Sequence, residues 1–122
     1  MVDKVGVKPY LGIEIDYDRD KKLDNFSIST VDDRYLWNDE TSCQEAFARA
    51  AVFVSTYKGH TDFEMAQRIY DYASNLWFMF STPILSNGGT TRGLPISCFL
   101  NYVPDSRDCL SKHYDENIWL AS

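Results

Sequence analysis

The chain has 122 residues, 12 Lys and Arg against 18 Asp and Glu, a net charge of −6, and 44% hydrophobic and 15% aromatic residues. That size suits one domain able to bury roughly two-thirds of its surface, and the composition excludes a disordered or low-complexity segment. The acidic balance speaks against wholesale binding to nucleic acid or to an anionic membrane.

No apolar run approaches the roughly 18 residues that span a bilayer, and Met1-Val2-Asp3-Lys4 opens no signal core, so the chain reads as cytoplasmic. From the N-terminus, Tyr10, Ile13, Ile15 and Tyr17 alternate, Asp18 to Lys22 is a polar turn, and Leu23, Phe26 and Ile28 resume the pattern. This predicts a β-hairpin over 10–28. Asp16, Asp18 and Asp20 have the spacing of a calcium loop, but Lys21 stands where Gly is needed and Ser27 where Glu is needed. A solvated turn is the better reading, and no metal site is assigned.

Ser42 with Glu45 forms a capping box, and Phe47, Ala50, Ala51 and Val54 behind it predict a helix that stops near Lys58-Gly59. Thr61 with Glu64 repeats the device. Phe63, Ala66, Tyr70, Ala73, Trp77 and Phe80 then predict a second helix, closed by Pro83. Ser86 to Gly93 reads as a loop with short polar side chains, followed by an apolar run, Ile96 to Val103, that predicts a buried strand. Asp105 to Asp108 leads into a last helix in which Leu110, Tyr114, Ile118 and Ala121 share a face. That helix meets no stop signal before Ser122, so the chain is expected to be a cut or split piece of a longer one.

Two features carry chemistry. The glycines of the 86–93 loop let backbone approach a ligand, although it has neither the Lys-Ser/Thr of a Walker A loop nor a dinucleotide fingerprint; as a bare pattern it is an ordinary connection. Cys98 lies among apolar residues, where a free Cys is commonly just a small buried hydrophobe. Three cysteines, at 43, 98 and 109, without a CxxC, form neither a disulfide framework nor a zinc site.

The combination is more specific than its parts. Phe80-Ser81-Thr82-Pro83-Ile84-Leu85-Ser86-Asn87-Gly88-Gly89-Thr90 followed by Leu94-Pro95-Ile96-Ser97-Cys98-Phe99-Leu100 resembles the start of the catalytic barrel of ribonucleotide reductase large subunits. Asp39-Glu40-Thr41-Ser42-Cys43-Gln44-Glu45 resembles the family's helix opening, with Cys43 where Pro is usual. The resemblance covers about 35–122. With the hairpin read from the residues of an N-terminal extension, 1–34, this gives a mixed α/β fold: the resemblance implies a helical region over 35–80 and, over 81–122, the first strand and helix of a ten-stranded α/β barrel, incomplete within this chain.

The resemblance also implies roles. Thr82 and Ser97 match hydroxyl residues that hold the substrate's phosphates, with Ser81 and the 86–91 loop as neighbours. Cys98 matches one of two thiols that reduce the ribose and close to a disulfide, its partner lying beyond Ser122. Asp105, and less closely Ser106, match the segment that contacts a dNTP or ATP specificity effector. Cys43 and Cys109 match no functional position. The implied enzyme, a ribonucleoside-diphosphate reductase, makes deoxyribonucleotides by thiyl-radical chemistry and is re-reduced by thioredoxin or glutaredoxin. Its radical cysteine, second reducing thiol and effector loop would lie beyond Ser122, so the chain alone is expected to be inactive and to need the remainder of the large subunit. An ATP-binding cone does not fit in residues 1–34. No cofactor is expected on this chain; a small di-metal radical-generating subunit is implied for the whole, with adenosylcobalamin as the alternative. The rival outside this chemistry is a non-catalytic helical interaction or nucleotide-binding module.

Overall fold

The computed structural model describes residues 4–98 and 100–121. Near its start β1 (Val7–Tyr10) pairs antiparallel with β2 (Ile13–Asp16), Tyr10 opposite Ile13. Leu11 and Gly12, at φ of 50° and 85°, make the two-residue turn whose twist suits a hairpin. Gly12 is required a second time by space, since a Cβ there would stand 2.4 Å from the Phe63 ring. The hairpin therefore lies earlier than the one expected over 10–28. Tyr17–Lys22 winds into a 3-10 turn capped by Asp16, and the chain then enters helix α1 (Asn25–Arg34) instead of a returning strand. Asp24 caps α1 by accepting the Ser27 N–H at 2.7 Å. Ile28, Val31 and Tyr35 recur at helical spacing and pack toward the core, which outweighs the short alternation through Phe26, an exposed residue.

Helix α2 (Cys43–Val54) is the axis of the fold. Its opening is a capping box shifted by one residue: Ser42 accepts the Gln44 N–H at 3.1 Å, and Glu45 reaches back to the N–H of Thr41, not of Ser42, at 2.7 Å. Residues 43–51 are all buried, with Ala46, Ala48, Ala50 and Ala51 letting neighbours approach closely on every side. A helix buried all round must satisfy its polar side chains internally. Gln44, 0% exposed, donates to Asp20 at 2.8 Å and accepts from the Tyr70 hydroxyl at 2.8 Å. Tyr70 in turn accepts the Asp16 N–H at 2.9 Å, tying the hairpin to the helices. Glu45 accepts from Lys4 at 2.6 Å and from the Tyr17 hydroxyl at 2.8 Å. Asp16, Asp18 and Asp20 accept respectively from the Asp18 N–H, from Lys21, and from Ser42 with Gln44.

After α2 come β3 (Thr56–Tyr57) and β4 (His60–Thr61), joined by Lys58 and Gly59 at positive φ. Helix α3 (Phe63–Ser74) is capped by Asp62, which accepts the Met65 N–H at 3.0 Å, rather than by Thr61. Ala66, Tyr70 and Ala73 form its buried face. It ends well before the expected Phe80. Leu76 takes the left-handed conformation at φ 64°, its N–H bonds Ala73 at 2.9 Å, and the Trp77 N–H bonds Tyr72 at 3.0 Å. This closes the helix in the manner usually given to glycine, at a cost of about 1–2 kcal/mol for a Leu. Trp77 consequently leaves the helical face and is 74% exposed.

Pro83 does not close a helix but opens one, α4 (Thr82–Asn87), where its missing N–H is harmless. The expected strand over 96–103 does not form among the described residues; Phe99 lies outside them. Leu100 is 97% exposed, and a strand requires a neighbour to take its N–H and C=O groups. Helix α5 (Arg107–Ala121) comes last, with Leu110, Tyr114 and Ile118 exposed. Among the described residues no helix is long and apolar enough to cross a membrane.

Candidate functional site

Thr82 is the first residue of α4, exposed, with its hydroxyl 3.3 Å from that of Tyr35. Both border a cavity of about 540 Å³ between α1 and the 76–85 segment, walled by Phe26, Val31, Met79, Phe80 and Leu85. The wall is mainly apolar, with Lys22, Asp24, Ser27 and Thr30 also on it, and the Tyr35–Thr82 hydroxyl pair adds a further polar edge. Ser81 is exposed just ahead and makes no side-chain cap.

The loop behind α4 is held by its own polar groups. Asn87 donates to the Leu94 carbonyl at 2.9 Å, Thr90 donates to the Asn87 carbonyl at 2.8 Å, and the Thr90 hydroxyl accepts the Arg92 N–H at 3.1 Å. The Arg92 guanidinium donates to the carbonyls of Arg34 (3.0 Å) and Leu36 (2.6 Å) and lies 5.1 Å from the Trp37 ring. Thr90 thus holds the loop to itself while Arg92 fastens it to the protein, and Gly88 is packed so tightly that a Cβ would meet the Ile84 carbonyl at 2.5 Å.

Beneath this loop sits an ion pair between Glu40, which lies in the 39–45 helix-opening segment, and Arg49, a pairing that the segment itself does not announce. Arg49 donates through Nε to Glu40 at 2.6 Å and through Nη2 to its other oxygen at 3.2 Å. The same guanidinium bonds the Gly88 carbonyl at 2.8 Å and the Tyr35 carbonyl at 2.9 Å. The two side chains are only 6% and 5% exposed, and Glu40 also accepts the Trp37 N–H at 2.9 Å. The available signal for it is a charged residue inside the Ala-rich run of α2.

Ser97 and Cys98 are exposed, with the hydroxyl 3.8 Å from the sulfur. Asp105 and Ser106 are exposed at the entry to α5, where the Ser106 hydroxyl accepts the Cys109 N–H at 3.2 Å. Among the described residues no hydrogen bond joins Thr82 to Ser97, Cys98 or Asp105: the candidates lie on two separate pieces of structure. Cys43, unlike Cys98, is shielded from solvent. It is buried against α2's neighbours, and burial, then Asp20 and Asp32, push its thiol up to about 12. Among the described residues no group of three or more His, Cys, Asp or Glu is gathered to hold a metal.

Residues 21–93 match the family described as ribonucleotide reductase, all-alpha domain. Over 98 residues the chain is 41% identical to the ribonucleoside-diphosphate reductase large subunit of Invertebrate iridescent virus 6, covering 80% of this chain and 10% of that protein. It is 42% identical over 94 residues to that of Invertebrate iridescent virus 3 (77% of this chain, 14% of the relative). It is 28% identical over 117 residues to the subunit alpha of Helicobacter pylori (92% and 15%). The chain therefore spans about a tenth to a seventh of the length of these relatives. No solved structure matches it.

Proposed function

The chain belongs to the family of ribonucleotide reductase all-alpha domains, and from that premise we propose that it is the N-terminal part of a ribonucleoside-diphosphate reductase large subunit. The whole enzyme reduces ribonucleotides to deoxyribonucleotides by thiyl-radical chemistry. Two thiols give up two electrons and two protons, the 2′ hydroxyl departs as water, and a disulfide closes. Cys98 is one of those thiols; the other, and the radical cysteine, belong to the remainder of the subunit, so this chain is inactive by itself. Thr82 and Ser97, with Ser81 beside them, hold the substrate's phosphates, and Asp105 with Ser106 contributes to the dNTP or ATP effector site. In the complete subunit residues 96–103 become the first strand of the ten-stranded barrel, which supplies the missing neighbour. The radical comes from a small di-metal subunit, with adenosylcobalamin as the alternative source, and thioredoxin or glutaredoxin re-reduces the disulfide.

The observation that carries the reading is Thr82: an exposed hydroxyl, backed by Tyr35, inside the region that matches the family. The exposure of Cys98 supports it, because a reducing thiol must meet both substrate and partner. The test is to combine this chain with a polypeptide carrying the rest of the large subunit and with the radical subunit, and to assay CDP reduction with a dithiol. Turnover that needs both polypeptides and is abolished by Cys98→Ser is expected. Unchanged turnover with Cys98→Ser refutes the role of that thiol, and turnover by this chain alone refutes the division of labour.

A further inference from the structure

We propose that Arg49, locked by Glu40, is a positioning residue for the phosphate-binding end of the site, acting on Thr82 through Tyr35 and through Gly88. This rests on the reading of Thr82 as a phosphate contact. Both routes are visible in the geometry. On one side Arg49 Nη2 holds the Tyr35 carbonyl at 2.9 Å, and the hydroxyl of that same tyrosine stands 3.3 Å from the Thr82 hydroxyl. On the other, Nη1 holds the Gly88 carbonyl at 2.8 Å, at the far end of the six-residue helix that Thr82 begins. One planar group thus holds the C-terminal end of α4 directly and reaches its start through the Tyr35 side chain.

The surroundings show that this grip is specific. Gly88 cannot carry a side chain, because a Cβ would lie 2.5 Å from the Ile84 carbonyl and 2.8 Å from Phe53. Gly89, at φ 73°, would place a Cβ 3.2 Å from Cγ of Arg49 itself, so the loop backbone lies directly on the arginine stem. Glu40 takes Nε and Nη2 together, which sets the plane of the guanidinium before any loop contact is made. A buried ion pair is an inefficient way to add stability, since hydrophobic residues of equal volume often do as well. What it offers here is a rigid fork with donors aimed at two carbonyls at once. A lysine ammonium, a point charge on a flexible stem, does not reproduce that geometry.

The experiment uses the complete large subunit bearing this sequence, with its radical subunit, and compares Arg49→Lys, Tyr35→Phe and Thr82→Val. Each is measured for KM and kcat with CDP and for thermal stability. Loss of one positioning hydrogen bond predicts a roughly threefold to tenfold rise in KM for Arg49→Lys, with kcat within about twofold. Tyr35→Phe, which keeps the ring and the fold, shifts KM in the same direction. Arg49→Lys added to Thr82→Val produces no further rise, because its target is already gone. A fall in kcat or in the active fraction with KM unmoved assigns Arg49 to structure alone and overturns the proposal, as does a double variant whose KM effects multiply. If Arg49→Lys fails to fold, an unmoved KM in Tyr35→Phe overturns it. Should Thr82→Val itself leave KM unchanged, the phosphate reading falls, an outcome distinguishable from failure of the positioning role.

Discussion

Replacing Arg49 by Met keeps a stem of similar length in the centre of the fold and deletes the charge. Glu40, whose side chain is 5% exposed, is then left, among the described residues, with the Trp37 N–H as its donor. The carbonyls of Gly88 and Tyr35 lose the donors that now reach them at 2.8 and 2.9 Å. Removing one member of a buried pair costs about 3–5 kcal/mol, mostly through the charge left behind. Against the roughly 5–15 kcal/mol that holds a domain folded, this brings Arg49→Met close to unfolding. With a urea m-value of about 1–3 kcal/mol/M, the midpoint in urea should fall by about 2 M when unfolding of this chain is followed by far-ultraviolet circular dichroism. Adding Glu40→Met removes the stranded carboxylate, so the double variant should recover at least half of the loss, leaving mainly the two bare carbonyls. A single variant within about 1 kcal/mol of the parent refutes the reasoning. So does a double variant no more stable than the single.

Glu45 supplies an acid-sensitive counterpart. Burial pushes its carboxyl up, but the hydrogen bonds from Lys4, the Thr41 N–H and the Tyr17 hydroxyl outweigh it, leaving the group below its ordinary 4.5. A carboxyl lowered by folding stabilises the fold above the unfolded value and loses that contribution as pH falls through the folded one. The stability advantage of the parent over Glu45→Gln, measured by urea titration at a series of pH values, should therefore be constant above about pH 6 and shrink below about pH 4; an advantage that grows on acidification contradicts it. Thiol mapping separates the cysteines: at pH 8 iodoacetamide should label exposed Cys98 in the native protein and reach Cys43, pushed up to about 12, only after denaturation. Equal rates by peptide mass spectrometry would contradict the burial of Cys43.

How much of the fold is legible in the sequence depends on whether the determinant is local. The start of α2 shows in the Ser42 and Glu45 pattern because capping involves neighbours in the chain, even though Glu45 serves Thr41. The first hairpin is displaced because Ile13 and Ile15 alternate clearly while the choice between strand and helix after Leu23 is settled by packing of Ile28, Val31 and Tyr35 against the core. The end of α3 is hidden: nothing in Leu76 announces a left-handed conformation, although the hydrogen bonds that close the helix there are local. Pro83 can end one helix or begin another, and the sequence-based expectation of a stop gives way to a start. Apolar character over 96–103 expresses a demand for cover, and strand geometry requires a partner as well. Of the candidate site, Thr82 and Cys98 are visible by motif. Tyr35 and Arg49 are not, and Glu40 lies in a quoted motif that says nothing of its partner, because the three converge from the end of α1, the turn after it and α2.

The body of the fold is braced by side chains reaching far along the chain, as when Arg92 bonds the carbonyls of Arg34 and Leu36. The segment bearing Cys98 has no such brace: among its described residues, Ser97 bonds Cys98 and Asn101 bonds Asn117 of α5. Fixing a backbone residue costs about 1–2 kcal/mol of conformational entropy, and if the remainder of the subunit covers this segment, as proposed, any ordering of its described residues is charged to that docking. Such docking would be weaker than its contact area alone would give. On the proposed reading, the Thr82 hydroxyl is already held beside that of Tyr35, whereas the segment of Cys98 gains its long-range contacts only from the remainder of the subunit.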